Sequence, residues 1–250
     1  MSKIRVVIPS RYGSSRLEGK PLLEILNKPV FWHVYQRCCE AGFHHDDIVL
    51  ATDDMRIFQK ASELGLNVVM TSSNHDSGTD RIFEVATLLD WNDQDIVINV
   101  QGDEPLIDPV LIRQVGDFAK NRNEFDIVTA VTSIDSLNDF QNPNIVKAIL
   151  GLNNLALYFS RSPTPYNRDL PSCTDLAFRH IGIYAYSIEV LSKFCSFGEA
   201  PLEAYEKLEQ LRAISNGLRI GACHYHGELS HGVDTLPDYL AIKTEMEQNK

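Results

Sequence analysis

Short runs of β-branched and aliphatic residues recur along the first hundred positions, with amphipathic stretches between them. Ile4 to Ile8 reads as a buried strand stopped by Pro9, and Asp47 to Thr52, Asn67 to Thr71 and Ile96 to Val100 repeat the pattern. Helices are predicted over Val30 to Cys39, Met55 to Glu63 and Thr79 to Leu89. In the last of these, Ile82, Val85, Ala86 and Leu89 fall on one helical face. Strands alternating with helices imply an α/β fold: a Rossmann-like, mainly parallel sheet flanked by helices, with right-handed crossovers. Ligands of such sheets sit beyond the carboxyl ends of the strands. That rule directs attention to three loops, 10–20, 71–81 and 101–108.

The second half is less regular. Ala156 to Arg161 and Ile181 to Tyr186 have strand character and flank a polar, Pro-containing loop, Ser162 to Leu176, of a length usually found in functional loops. Pro201 to Asn216 reads as one helix, with proline near its start and Gly217 just past its end. Arg219 to Tyr225 alternates like a strand, and Leu236 to Gln248 closes as a helix. No repeat or clear linker interrupts the chain. It reads as a single domain over 1–250, either one continuous α/β core or a sheet with a smaller inserted lobe.

Composition removes several classes. The 250 residues are 44% hydrophobic and 23% charged, which excludes wholesale disorder. No apolar run approaches the ~20 residues of a membrane span. Five cysteines without CxxC spacing fit a reduced compartment, not a disulfide framework. The net charge of −11 argues against general nucleic-acid binding, so an anionic ligand requires a local basic cluster.

Such a cluster follows the first strand. Lys3, Arg5, Arg11, Arg16 and Lys20 stand against the single acid Glu18, and Gly13 and Gly19 let the backbone pass close to a ligand. The spacing misses the Walker pattern and lacks its final Ser/Thr, so a P-loop NTPase is disfavoured. A solvated basic loop is the plain alternative. Gln101-Gly102-Asp103-Glu104-Pro105 places a carboxylate just past a strand, suited to Mg²⁺ shared with substrate phosphates, or simply to an Asx turn. Gly232-Val233-Asp234-Thr235 offers another carboxylate at a turn. Thr71 to Arg81 runs hydroxyls, Gly78 and an arginine into a helix N-terminus, where Ser77 or Thr79 also suits an N-cap. His180 suits a hydrogen-bonded structural role, and Glu203–Lys207 an i, i+4 surface pair.

Together these segments resemble the 3-deoxy-manno-octulosonate cytidylyltransferase (CMP-Kdo synthetase) family. The resemblance is carried in order by Ile8-Pro9-Ser10-Arg11, Ser14-Ser15-Arg16, Gly19-Lys20-Pro21, Ser77 to Arg81, Val100 to Pro105 and Ala156 to Arg161. It continues through Arg179 to Tyr186, Pro201 to Arg212 and Gly232 to Thr235. It implies a nucleotidyltransferase-type sheet, a cytoplasmic homodimer, and conversion of CTP and the acid sugar Kdo to CMP-Kdo and pyrophosphate with Mg²⁺, for lipopolysaccharide. Arg11, Arg16 and Lys20 then match triphosphate-binding positions, and Asp103 and Asp234 the metal carboxylates. Pro9, Ser10, Thr71, Ser77, Gly78, Gln101 and Gly102 line the nucleotide. Arg81, Gln101, Arg161, His180, Tyr184, Glu209 and Gln210 match sugar-associated positions. The nucleotide part spans about 1–130, the sugar-binding and dimerisation part about 131–220, and the metal-binding close about 221–250. Ser10, Ser15, Glu18, Thr164 and Tyr166 depart from the commonest family residues, which bears on sugar choice (Kdo, its 8-amino analogue or a sialic acid) and not on the charged positions.

Overall fold

In the computed structural model, which describes residues 2–13, 16–75 and 77–248, the chain alternates strand and helix as far as residue 121. Ser14 and Ser15 of the basic loop and Asp76 of the hydroxyl-rich loop lie outside the described residues. The first half comprises β1 (Ile4–Pro9), a small hairpin β2 (Glu24–Ile25) and β3 (Lys28–Pro29), α1 (Val30–Glu40), β4 (Ile48–Thr52) and α2 (Met55–Glu63). It continues with β5 (Val68–Met70), α3 (Gly78–Leu88), β6 (Ile96–Asn99) and α4 (Pro109–Asn121). The second half adds β7 (Ile127–Ser133), α5 (Leu137–Gln141), β8 (Lys147–Leu150), β9 (Leu155–Ser160), β10 (Phe178–Ser187) and α6 (Ile188–Cys195). After these come α7 (Pro201–Glu206), α8 (Gln210–Ser215), β11 (Ile220–His224) and α9 (Leu236–Gln248). Helix starts follow local chemistry: the side chains of Asp54, Ser77 and Asp108 accept from Arg56, Asp80 and Val110 N–H and so cap α2, α3 and α4.

A nine-stranded sheet runs β5-β4-β1-β6-β10-β7-β11-β9-β8. The predicted parallel arrangement holds for β5, β4, β1 and β6. Beyond them the expectation of a mainly parallel sheet gives way to a mixed one. Strand β10 enters antiparallel between β6 and β7, β7 and β11 pair parallel, and β9 and β8 close the edge antiparallel. Strand β10 runs ten residues and pairs with β6, β7 and β8, so it stitches the two halves into one sheet. Helices α1, α2 and α4 bury Phe31, Val34, Ile57 and Leu111 on one face; α3, α6 and α8 bury Ile82, Val85, Leu191 and Leu211 on the other.

Strand β7 has no counterpart among the predicted elements, although Ile127 to Val131 are all buried; its run of β-branched and aliphatic residues was the available signal. The helix predicted over Pro201 to Asn216 is two helices. Lys207 lies in the left-handed region (φ 54°, ψ 49°), and the helix restarts at Gln210. The predicted Glu203–Lys207 pair is replaced by a part-buried one, in which Arg212 donates to both Glu203 oxygens at 2.6 and 2.9 Å. Helix α9 packs on the β2–β3 hairpin through Ile25, Val233 and Ile242, and this fixes the turn carrying Asp234. No helix among the described residues is long and apolar enough to cross a membrane.

Candidate active site

The carboxyl ends of β1 and β6 open onto a cleft lined by Pro9, Ser10, Arg11, Gly13, Arg16, Lys20, Gly78, Gln101, Gly102 and Asp103. The loop after β1 is shaped by its own chemistry. Ser10 N–H donates to Ala51 carbonyl (2.8 Å) and Gly19 N–H to Tyr12 carbonyl (2.9 Å). Gly19 has φ +69°, and a Cβ there would meet the Tyr12 ring at 3.0 Å, so glycine is required on two counts. The Arg56 guanidinium also covers that ring, 3.3 Å from the centroid and held by Asp54 at 2.6 Å. Gly102 allows the loops after β1 and β6 to touch: a Cβ would lie 2.2 Å from Ser10 Oγ and 2.7 Å from Pro9 O.

Two carboxylates distant in sequence meet the cations of this loop. Lys20 Nζ donates to Asp103 and lies 3.4 Å from Asp234 Oδ1, while Arg16 donates to the same Asp234 oxygen at 2.8 Å. Val233 N–H donates to Asp103 carbonyl at 2.7 Å, which ties the two carboxylate turns together. Glu104 stands beside them. Burial, reinforced by Asp103 and Asp234, pushes its carboxyl up to about 8. Asp103 and Asp234, two carboxylates with hard oxygen donors on adjoining turns, suit a divalent cation such as magnesium.

A second pocket lies between α3, α6, α8 and β10, lined by Thr79, Tyr184, Tyr186, Glu209 and Gln210 among apolar neighbours. Glu209 Oε2 accepts from Thr79 Oγ1 at 3.0 Å. Burial raises the Glu209 carboxyl and the Tyr184 and Tyr186 phenols above their ordinary values. Glu209 Oε1 and Gln210 Nε2 are buried without a hydrogen-bond partner among the described residues. The first residues of α3 link the two sites: Gly78 lines the cleft and Thr79 the pocket. His180 lies in the same strand as Tyr184, ring against ring (5.5 Å), edge-on to Phe159 and 3.0 Å from Thr129 Oγ1. Burial lowers its pKa to about 4, so it is neutral.

A cytidylyltransferase family profile matches residues 5–220. The chain is 43% identical over 250 residues, 97% of each sequence, to the 3-deoxy-manno-octulosonate cytidylyltransferase of Cellvibrio japonicus (strain Ueda107). It is 42% identical over 239 residues to that of Acinetobacter baumannii (strain AYE), covering 93% of this chain and 94% of the relative. The chain belongs to the 3-deoxy-manno-octulosonate cytidylyltransferase family. Its fold superposes on a CMP:2-keto-3-deoxy-manno-octonic acid synthetase solved with CTP, with a TM-score of 0.92, 38% identity and all of both chains covered. A glucose-1-phosphate thymidylyltransferase structure from Bacillus anthracis, described there as putative, shares the fold alone, at a TM-score of 0.66 and 14% identity over 97% of this chain and 94% of that one.

Against the family expectations, the cleft gathers Pro9, Ser10, Arg11, Arg16, Lys20, Gly78, Gln101, Gly102 and Asp103, and Asp234 joins them through its ion pairs. Ser77 is the α3 N-cap, and Thr71 is buried with its hydroxyl on Thr52 carbonyl. Tyr184, Glu209 and Gln210 share the second pocket. Two residues expected at the sugar make protein contacts here. Arg81 is fully buried, with its terminal nitrogens on Asp53 (2.8 Å), Thr71 and Ser72 carbonyl, so it braces β4 and β5 against α3. Arg161 donates to three main-chain carbonyls. Sequence reasoning singled out neither Glu104, although it adjoins Asp103, nor Tyr186, two residues from Tyr184 on the same face of the strand.

Proposed function

We propose that this enzyme couples CTP to 3-deoxy-D-manno-octulosonate, giving CMP-Kdo and pyrophosphate for lipopolysaccharide synthesis. The observation that carries this reading is the convergence of Lys20 on Asp103 and Asp234, carboxylates far apart in sequence, in a glycine-walled basic cleft. Arg11, Arg16 and Lys20 bind the triphosphate, where charge-assisted contacts stabilise the charge that develops as pyrophosphate leaves. Gly78, Gln101 and Gly102 keep the cleft floor open to the nucleotide. Asp103 and Asp234 would hold magnesium, which supplies charge neutralisation at the phosphates and acidifies the attacking hydroxyl. His180, Tyr184, Glu209 and Gln210 orient the acid sugar, whose anomeric hydroxyl attacks the α-phosphorus in line. The buried, unpartnered Glu209 and Gln210 atoms suit a polyhydroxylated ligand, since each bond formed there satisfies a group already stripped of water.

A homodimer is supported by large apolar side chains left exposed in the second half, among them Leu152 and Tyr205, each 89% exposed. The five free cysteines support a cytoplasmic setting. The test is pyrophosphate release with CTP, UTP or ATP, against Kdo, 8-amino-Kdo or sialic acid, with and without magnesium. Release is expected with CTP and Kdo, and only with the metal. Silence with that pair overturns the substrate assignment, and equal release in chelator overturns the metal.

A further inference from the structure

The turn that carries Glu209 and Gln210 is held in an unfavourable shape. Lys207 sits at φ 54°, a left-handed region that a non-glycine side chain enters only at an energetic cost. Helix α7 ends there with carbonyls that its own turns leave unpaired. Arg161 takes them: Nε donates to Glu206 carbonyl at 2.7 Å and a terminal nitrogen to Lys207 carbonyl at 3.4 Å, while the other donates to Pro143 carbonyl at 3.0 Å. The Glu206 carboxylate returns the contact, accepting from Arg161 N–H (3.0 Å) and Ser160 Oγ (2.8 Å). Beneath them fully buried Lys147 donates to Arg161 carbonyl at 2.7 Å and Asn142 carbonyl at 2.9 Å. The end of β9 is thus laced to the α7–α8 turn through an arginine whose donors face main chain.

We propose that Arg161 is a positioning residue of the sugar pocket: with Glu206 it clasps the left-handed turn at Lys207 and so sets Glu209 and Gln210 on the sugar, without contacting the sugar itself. This rests on the cytidylyltransferase reading above. The clasp acts as a unit because breaking either side frees the same turn, and the cleft lies outside its reach.

Glu206 separates this from direct contact. An anion does not bind an acid sugar's carboxylate, so a ligand role for Arg161 predicts that Glu206→Gln leaves the sugar KM unchanged or lowers it. The clasp predicts the reverse. Kinetics with each substrate varied in turn should show Arg161→Gln and Glu206→Gln each raising the sugar KM about tenfold, with the CTP KM moving less than twofold. The double variant should be no worse than either single. Lys207→Gly, which makes the turn easy without the clasp, should restore part of the loss in Arg161→Gln. Ser160→Ala, a milder cut at the same carboxylate, should raise the sugar KM two- to threefold and keeps the test alive if the stronger variants fail to fold. A large effect of Arg161→Gln with Glu206→Gln and Ser160→Ala silent, or additive losses, overturns the clasp. Absence of turnover by the unaltered enzyme with CTP and Kdo overturns the parent reading instead.

Discussion

The cleft and the pocket are built from opposite principles. In the cleft, cations and carboxylates from β1, β6 and the α9 approach already face one another: Lys20 against Asp103 and Asp234, Arg16 against Asp234. The Arg16–Asp234 pair is part-exposed, with Arg16 62% and Asp234 43% exposed, so it contributes little to stability and parts readily. In the pocket the groups are desolvated: Glu209 and Tyr184 have their pKa values raised by burial, and Gln210 is unpaired. The first region suits a highly charged ligand that exchanges for existing ion pairs. The second suits a ligand recognised by hydrogen bonds in a dry space, where selectivity comes from the cost of leaving a buried group unmatched.

The sharpest way to break this contrast is at the carboxylates. Asp103→Asn should lower kcat/KM on the order of 10²–10³-fold with little change in melting temperature, and Asp234→Asn should do the same. If both act on one centre, the double variant falls short of the product of the singles. Near-normal turnover of Asp103→Asn at moderate magnesium would remove the metal assignment.

Next come the cations. Lys20→Ala should cost about 10²-fold in kcat/KM, and Arg16→Ala less, because Lys20 is the more buried and meets both carboxylates. Equal CTP kinetics in both variants and the parent would return the loop to a solvated basic segment.

The contact between loops is tested by Gly102→Ala. The new methyl would collide with Ser10 Oγ and Pro9 O, the second of which is backbone and cannot rotate away. A loss of about 1–3 kcal/mol in stability is expected, read as a lower melting temperature, together with weaker CTP binding. A variant as stable and active as the parent contradicts the close approach.

On activity, the smallest effect concerns pH. His180 is held at about 4 against an ordinary 6.5, so between those values the unfolded chain binds a proton that the folded chain refuses. Stability contributed by this site is intact above pH 6.5 and is lost progressively as pH falls toward 4. Chemical denaturation across that range should show a shallower slope for His180→Gln than for the parent. Parallel slopes would mean that His180 is not buried neutral.

How much of this was legible depends on whether a feature is local. The β1, β4, β5 and β6 strands and the α2 and α9 helices follow from periodicity, and the charged cleft from a basic loop set against an acidic chain. Asp234 could be tied to Asp103 only by family resemblance, because nothing in its own turn states a partner some 130 positions away.

Residue order alone carries the alternation of elements in the first half, a capping hydroxyl before α3 and the identities that make the chain a cytidylyltransferase. Tertiary structure alone decided the rest. Strand direction in the second half depends on β10 finding β6 and β7, a non-local pairing with no short-range signature. The break at Lys207 interrupts a good helical pattern where Arg161, distant in sequence, meets the Glu206 and Lys207 carbonyls. The fates of Arg81 and Arg161 depend on which carbonyls and carboxylates surround them once folded, since a guanidinium offers the same five donors to a ligand or to the backbone, and only packing settles which it meets.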